Sequence, residues 1–282
     1  MAPLVFFIGA ASSGFGNGIA EEALSRGHKV IATARNASKI AHLKEKGAVT
    51  MNLDVTHSLD ELKAAVADAH KVYGRIDILV NAAGYILEGA IEEASPKETL
   101  DSFNTNVFGV LNLTRAVLPY MRTQRSGTIA QFGSVGSWRG FAGGGLYVAT
   151  KWAISGLTES LRLEVAPFGI DVVCIEPGYF RTGFLNLGAR FFTEERIQDY
   201  DETTVGEVRR MLTSADNSQP GNPEKGCRVC VDVLTRDGGR EVPVRLVLGS
   251  DATEAIRGKC EETLTLLGEW EGVSRSTDFE KE

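Results

Sequence analysis

The chain has 282 residues, 43% of them apolar and 24% charged, an ordinary globular make-up with room for one large domain. Its formal net charge of −7 argues against nucleic acid or an anionic membrane as the main partner and reads as a solvated acidic surface. Four cysteines, at 174, 227, 230 and 260, are too few and too spread for a disulfide framework and fit a reducing, cytoplasmic compartment.

The apolar opening reads as a buried strand over residues 4–8, since no basic residue precedes Arg26 and a signal peptide needs a charged start. Ile8-Gly9-Ala10-Ala11-Ser12-Ser13-Gly14-Phe15-Gly16 leads from it into a helix over 14–26. In such a strand–turn–helix, glycines let backbone approach a pyrophosphate, and the helix start supplies N–H groups and positive dipole. A tight turn without a ligand is the plainer alternative. A strand over 30–34 follows and ends in Ala34-Arg35-Asn36, where dinucleotide folds usually place an acid on the ribose hydroxyls. No carboxylate is there. Arg35 can fork onto a 2′-phosphate, which favours NADP(H) over NAD(H); the alternative is a solvated arginine at a strand end.

A short helix over 39–46 and a strand over 49–53 come next, and Asp54, followed by Val55, is placed for the adenine edge. After a helix over 59–72 and a strand over 76–80, Asn81-Ala82-Ala83-Gly84 lies at the edge where ligands bind in such sheets. Helices over 96–103 and 106–121 follow, the second opened by Asn106, then a strand over 128–132 with Ser134 just beyond it. A helix over 147–165 stacks Tyr147 and Lys151 on one face, four residues apart. A cation beside a phenol lowers its pKa toward the range where it trades protons, although a packed ring with a snorkelling lysine gives the same spacing. A strand over 171–175, a helix over 223–235, a strand over 244–248 and a helix over 251–267 complete the pattern.

This β-α alternation requires an α/β, Rossmann-type, doubly wound parallel sheet with helices on both faces, in a single domain over 1–267. Residues 183–221 mix aromatics with charges and read as a substrate lid, and 268–282 as a C-terminal tail that frays. Cys227-Arg228-Val229-Cys230 has metal-ligand spacing but lies in an apolar-periodic helix with no second Cys or His pair nearby, so core packing is expected and no metal. No stretch is long enough to span a membrane, and the chain end carries no retention or peroxisomal tripeptide.

Taken jointly and in order, the glycine turn, Asp54, Asn81-Ala82-Ala83-Gly84, Asn106, Ser134, Tyr147, Lys151, Pro177-Gly178 and Thr182 resemble the short-chain dehydrogenase/reductase family. The likeness is close over about residues 4–180, and nearest to its retinol and hydroxysteroid dehydrogenase branch. It implies Tyr147 as the acid/base at the carbonyl or alcohol oxygen, with Ser134 hydrogen-bonded to that oxygen. Lys151 would lower the Tyr147 pKa and bond the nicotinamide ribose, Asn106 would hold a water in a proton relay, and Pro177, Gly178 and Thr182 would seat the nicotinamide. Two positions depart from the pattern. Gly9-Ala10 stands where the family has Thr-Gly, narrowing a place where backbone crowds the cofactor, and Ala82 stands where a second Asn is common.

Trp138, Arg139, Phe141, Tyr179, Phe180, Phe184, Leu185, Phe191 and Phe192 flank these motifs. As a pocket lining they suit a bulky apolar or aromatic ketone or secondary alcohol; alternatively some of them pack the lid on the sheet. The helix after Asn106 is apolar on two sides, Val107, Leu111 and Leu118 on one and Val110, Leu113 and Val117 on the other, which suits a homodimer or a buried helix. The reading is an NADPH-dependent ketone reductase. Its rivals are a non-catalytic dinucleotide-binding protein on the same fold, which would not need Tyr147 with Ser134 and Lys151, and an NAD-linked alcohol dehydrogenase, against which Arg35 argues.

Overall fold

Strand β1 (Val5–Gly9) is buried along its whole length, because it lies inside a sheet whose two faces are covered by helices. A computed structural model describes residues 2–186, 188–214 and 218–279. After β1 come α1 (Gly14–Ser25), β2 (Lys29–Ala34), α2 (Ala41–Glu45), β3 (Val49–Asn52), α3 (Leu59–Tyr73) and β4 (Ile78–Asn81). Then follow β5 (Ile86–Glu88), α4 (Pro96–Phe103), α5 (Val110–Gln124), β6 (Gly127–Phe132), α6 (Gly145–Val165) and β7 (Ile170–Pro177). The chain closes with β8 (Arg190–Phe192), α7 (Thr204–Ser214), α8 (Pro223–Leu234), β9 (Arg245–Leu248) and α9 (Ser250–Arg275).

Seven strands form one parallel sheet in the order β3-β2-β1-β4-β6-β7-β9. Because side chains alternate along a strand, β1 sends Phe6 and Ile8 to one layer and Val5 and Phe7 to the other. The first layer packs Ile19, Ala20 and Ala23 of α1 with Cys227, Cys230 and Val231 of α8. The second packs Leu62 and Val66 of α3 with Leu113, Val117 and Met121 of α5. The strand order turns between β1 and β4, where Gly9 and Asn81 are register partners, so a crevice opens at their carboxyl ends. Cys227 and Cys230 are core residues, and Cys227 seats against Gly18, where a Cβ would stand 2.5 Å from its sulfur.

Three segments differ from the sequence expectation. Helices α4 and α5 are joined without a break by a π-helical turn, Asn104–Gly109, so Asn106 lies inside a helical rod rather than at the start of one. The stretch expected to be a lid contains a strand and a helix of its own: β8 pairs in parallel with β5, and α7 follows. The last helix runs on to Arg275, past Leu267, where it was expected to end, and into the expected tail.

Candidate active site

Backbone chemistry sets the cofactor end. Ser13 makes no side-chain cap on α1 and the first turn carries no acid, so the leading N–H groups of that helix are free for an anion. Gly16 must lack a Cβ, which would collide with the Ala10 carbonyl oxygen. Ala10 itself has φ 65°, a left-handed conformation that disfavours any residue with a Cβ. The expected crowding by its methyl group is thus a strained backbone at the turn. Gly9 packs inward, since a Cβ there would meet Leu113 at 2.9 Å. The Phe15 ring lies between Phe132, at 5.3 Å, and Phe180, at 5.1 Å, which places both Phe15 and Phe180 in packing. Ser12 and Ser13 are exposed above the turn, and Gly14 faces Thr182 from the other side of the crevice.

Arg35 is exposed at the end of β2 and makes no hydrogen bond or ion pair among the described residues. Asp54 lies close enough to feel its charge. Partial burial works against the Asp54 carboxylate, but the N–H and hydroxyl of Thr56 donate to it at 2.9 and 2.7 Å and hold its pKa below the ordinary range. Val55 beside it is buried. Of the Asn81-Ala82-Ala83-Gly84 run, the Asn81 side chain points into the core, donating to Thr114 at 3.0 Å and Gln131 at 3.2 Å, so only its backbone faces the crevice edge. Ala83 is buried, whereas Ala82 and Gly84 are partly open. Pro177 ends β7, the Gly178 N–H donates to the Leu248 carbonyl, and the Tyr179 N–H to Asp251 at 2.7 Å, which fixes this turn opposite the glycine turn. An uncapped helix start, an unpaired arginine and two walls of glycine backbone fit a nicotinamide dinucleotide.

At the other end of the crevice, several side chains named from the motifs lie near one another. Tyr147 is buried, within hydrogen-bonding reach of the Ser134 hydroxyl, which also accepts from the Gly136 N–H at 3.0 Å. The Lys151 ammonium lies 5.6 Å from the centre of the Tyr147 ring and donates to the Phe132 carbonyl at 2.7 Å. A Cβ on Gly84 would stand 3.4 Å from both the Asn106 carboxamide oxygen and the Lys151 nitrogen, so these groups surround one spot. Asn106 is fully buried; its side chain accepts from the Tyr85 N–H at 3.0 Å and donates to the Tyr85 carbonyl at 2.9 Å and to Thr150 at 3.2 Å. The side chain is therefore spent on protein, and a water relay at Asn106 would fall to its main-chain carbonyl, in a π-turn whose hydrogen bonds are displaced from helical register.

Electrostatics correct one expectation. Burial pushes the Tyr147 phenol up to about 12, against the pull of Ser134, and lowers Lys151 to about 8. Lys151 does not depress the phenol here, because apolar surroundings penalise both charged forms and the ammonium is directed to Phe132. Around the phenol lie Ile86, Leu185, Leu212, Phe141 and Phe184, the last with its ring 6.1 Å away. Trp138, by contrast, turns away to bond Glu176 at 2.9 Å beneath Arg245. Phe191 stacks edge-on against Tyr85 at 5.1 Å, and Phe192 lies against Arg190.

Sequence reasoning missed Tyr85 and two buried ion pairs beneath this wall. Glu88 and Arg190 meet at 2.6 Å, 1% and 5% exposed, and Arg209 pairs with the equally buried Glu93. Burial opposes the Glu93 charge, yet Arg209 and the N–H groups of Ile197 and Ala90 hold its pKa below the ordinary range. Nothing in the local pattern marks these charges as interior, because their partners lie about a hundred residues away.

The chain is similar to known proteins in sequence and fold. The family model for short chain dehydrogenases matches residues 4–188. An oxidoreductase named BOA17 from Botryotinia fuckeliana is 35% identical over 275 residues, covering 96% of this chain and 97% of that protein. A 3-ketodihydrosphingosine reductase from Bacteroides thetaiotaomicron is 42% identical over 239 residues, covering 84% and 86%. The crystal structure of a short-chain dehydrogenase from Streptomyces avermitilis is 41% identical and superposes with a TM-score of 0.89 over 99% of this chain and all of that one. A short-chain dehydrogenase/reductase from Burkholderia phymatum, solved in complex with NAD, shares the fold at 22% identity, with a TM-score of 0.79 over 94% and 95% of the two chains. No helix of the described residues is long and apolar enough to cross a membrane. The chain belongs to the short-chain dehydrogenase/reductase family of oxidoreductases.

Proposed function

We propose that this protein is an NADPH-dependent reductase of a bulky apolar or aromatic ketone, with the secondary alcohol as product, nearest in kind to the retinol and hydroxysteroid dehydrogenase branch. The observation that carries the reading is the Tyr147 phenol, neutral, buried and beside the Ser134 hydroxyl. A neutral phenol is the form a ketone reduction needs, since it must give a proton to the carbonyl oxygen. When bound, the nicotinamide supplies the hydride. Tyr147 donates to the developing alkoxide and Ser134 holds the same oxygen. Lys151 bonds the ribose and restores the Tyr147 proton, and Asn106 fixes the wall they share. Phosphate selection falls to Arg35, the unpaired cation at the end of β2. The cofactor backbone runs along Gly9, Ser12, Ser13, Gly14, Phe15 and Gly16, with Asp54 and Val55 at the adenine end.

Support for an apolar substrate comes from the cluster around Tyr147 and from a neighbouring groove of about 430 Å³ lined mainly by apolar groups, among them Ile91, Phe141 and Val205, with Glu92 and Tyr200 bonded to each other at its side. That is room for an apolar arm. The similarity to a 3-ketodihydrosphingosine reductase agrees with a ketone carried on a long apolar chain. A homodimer through the α5 and α6 faces belongs to the same reading: Leu111 and Leu118 are only partly covered, while Phe108 and Trp152 are exposed.

The test is NADPH oxidation by purified protein across a panel of aromatic and long-chain ketones. Tyr147→Phe should lower turnover about a thousandfold, as loss of a general acid does, and leave NADPH affinity nearly intact. Turnover unchanged in that variant would end the proposal.

A further inference from the structure

Helix α9 has no partner for most of its length. Its first turns rest on β9 and on the Val135–Ser137 turn, with Ala252 buried, but every residue from Cys260 to Arg275 is exposed. That arm extends about 24 Å at 1.5 Å per residue. It carries Gly268 and Gly272, and a lone helix of this length is marginal in water. Its residues are not those of a solvated arm. At 100° per residue, Ile256, Cys260, Leu267 and Trp270 fall along one line, with Leu264 on one flank and Leu266 and Val273 on the other. Leu264, Leu266, Leu267, Trp270 and Val273 are 68%, 55%, 61%, 56% and 59% exposed.

We infer that this face joins two copies of the chain, α9 packing antiparallel on α9 of a second copy about a two-fold axis near Leu264. The charges carry the choice of occupant. Arg257 and Lys259 lie on the N-terminal side of Leu264, and Glu269 and Glu271 on the C-terminal side at matching distances. Antiparallel pairing sets Arg257 against Glu271 and Lys259 against Glu269, the self-complementarity a two-fold interface requires. A parallel pair, in which flanking residues five apart face each other, would set Lys259 beside Leu264 and Glu271 beside Leu266 and pair none of these charges. Lys259 and Glu271 already pair with Glu262 and Arg275 within the helix, but these pairs are solvent-exposed and weak, so both side chains can exchange them for partners on the second copy. Covering Leu264, Leu267, Trp270 and part of Leu266 on both copies removes several hundred Å² from water, the size of a small, weakly associating interface. Glu262, Glu269 and Glu271 border the apolar face and oppose an anionic lipid surface. This interface is independent of the proposed catalytic function and of the α5 and α6 faces.

Sedimentation equilibrium of the full chain tests it. The paired substitution Leu264→Glu with Leu267→Glu should halve the mass of the assembly without lowering the melting temperature of the body. Arg257→Glu with Lys259→Glu should halve it as well, and adding Glu269→Lys with Glu271→Lys should restore it. Leu264→Cys in a Cys260→Ser background should cross-link two chains under mild oxidation. Unchanged mass in the leucine variant, failure of the charge exchange to restore association, or cross-linking of the unaltered chain through Cys260, which a parallel pair would give, each overturns the assignment. Flotation of the unaltered chain on phosphatidylcholine vesicles as a monomer also overturns it.

Discussion

Around β1, Phe6, Phe7 and Ile8 are fully buried in two apolar layers; around β5, Glu88 and Glu93 are buried just as deeply, and each is met by an arginine from the segment after β7. The two regions form opposite walls of one cleft, and they are held by different forces. Apolar burial is non-directional and tolerates small changes of shape, whereas a buried ion pair holds only while both partners are in place. The dinucleotide half is thereby a stable platform that many sequences could build. The wall after β7 is a specific clamp of β8 and α7 onto β5, which explains why a stretch that reads as a loose lid is tied down.

The sharpest way to break this contrast is Arg190→Met, which leaves Glu88 buried without its cation and should destabilise the protein by about 3–5 kcal/mol. Chemical denaturation measures it. Arg190→Met combined with Glu88→Leu should recover most of the loss, because the charges are removed together; no recovery would mean that the clamp is not electrostatic. On the opposite wall, Arg35→Ala should weaken NADPH by about tenfold or more, the loss of a charge-assisted contact to phosphate, and leave NADH nearly unchanged. Equal loss for both cofactors in a titration would remove the phosphate role.

A pH series separates the two titrating groups where the walls meet. Lys151, lowered to about 8 by burial, is an ammonium below that pH and neutral above it, whereas Tyr147, at about 12, stays protonated throughout. Reductive turnover should therefore fall as pH rises through about 8. Stability moves the other way. Between pH 8 and Lys151's ordinary value of 10.5 the unfolded chain holds a proton that the folded chain has released, so this group's contribution to stability rises with pH. Lys151→Met should abolish both trends, and their persistence in that variant would assign them to other groups. The smallest effect belongs to the glycine turn: Ala10→Gly relieves a left-handed alanine and should stabilise the protein by about 1 kcal/mol in thermal unfolding.

Where the sequence was legible, the reason was local. The alternation of apolar runs with helical stripes leads directly to a parallel sheet, and Tyr147 and Lys151 share a helix face by spacing alone. Ser134, Asn106 and Gly84 could be named from motif order; the structure sets Asn106 and Lys151 around Gly84, and Ser134 beside Tyr147. The direction of the Tyr147 pKa shift was not legible, because burial depends on Phe141, Phe184 and Leu185 arriving from other segments. The same holds for Trp138, whose ring looks like pocket lining in sequence but is taken by Glu176 and Arg245.

What the sequence determined by itself is the sheet, the glycine turn, the family and the shared helix face of Tyr147 and Lys151, since each follows from residue periodicity or from groups close in the chain. Tertiary structure alone decided the clamp of Glu88 on Arg190, the burial that keeps Tyr147 neutral, and the bare apolar face of α9. Those depend on desolvation and on partners about a hundred residues distant or absent from the chain, and no local pattern encodes which groups lose their water.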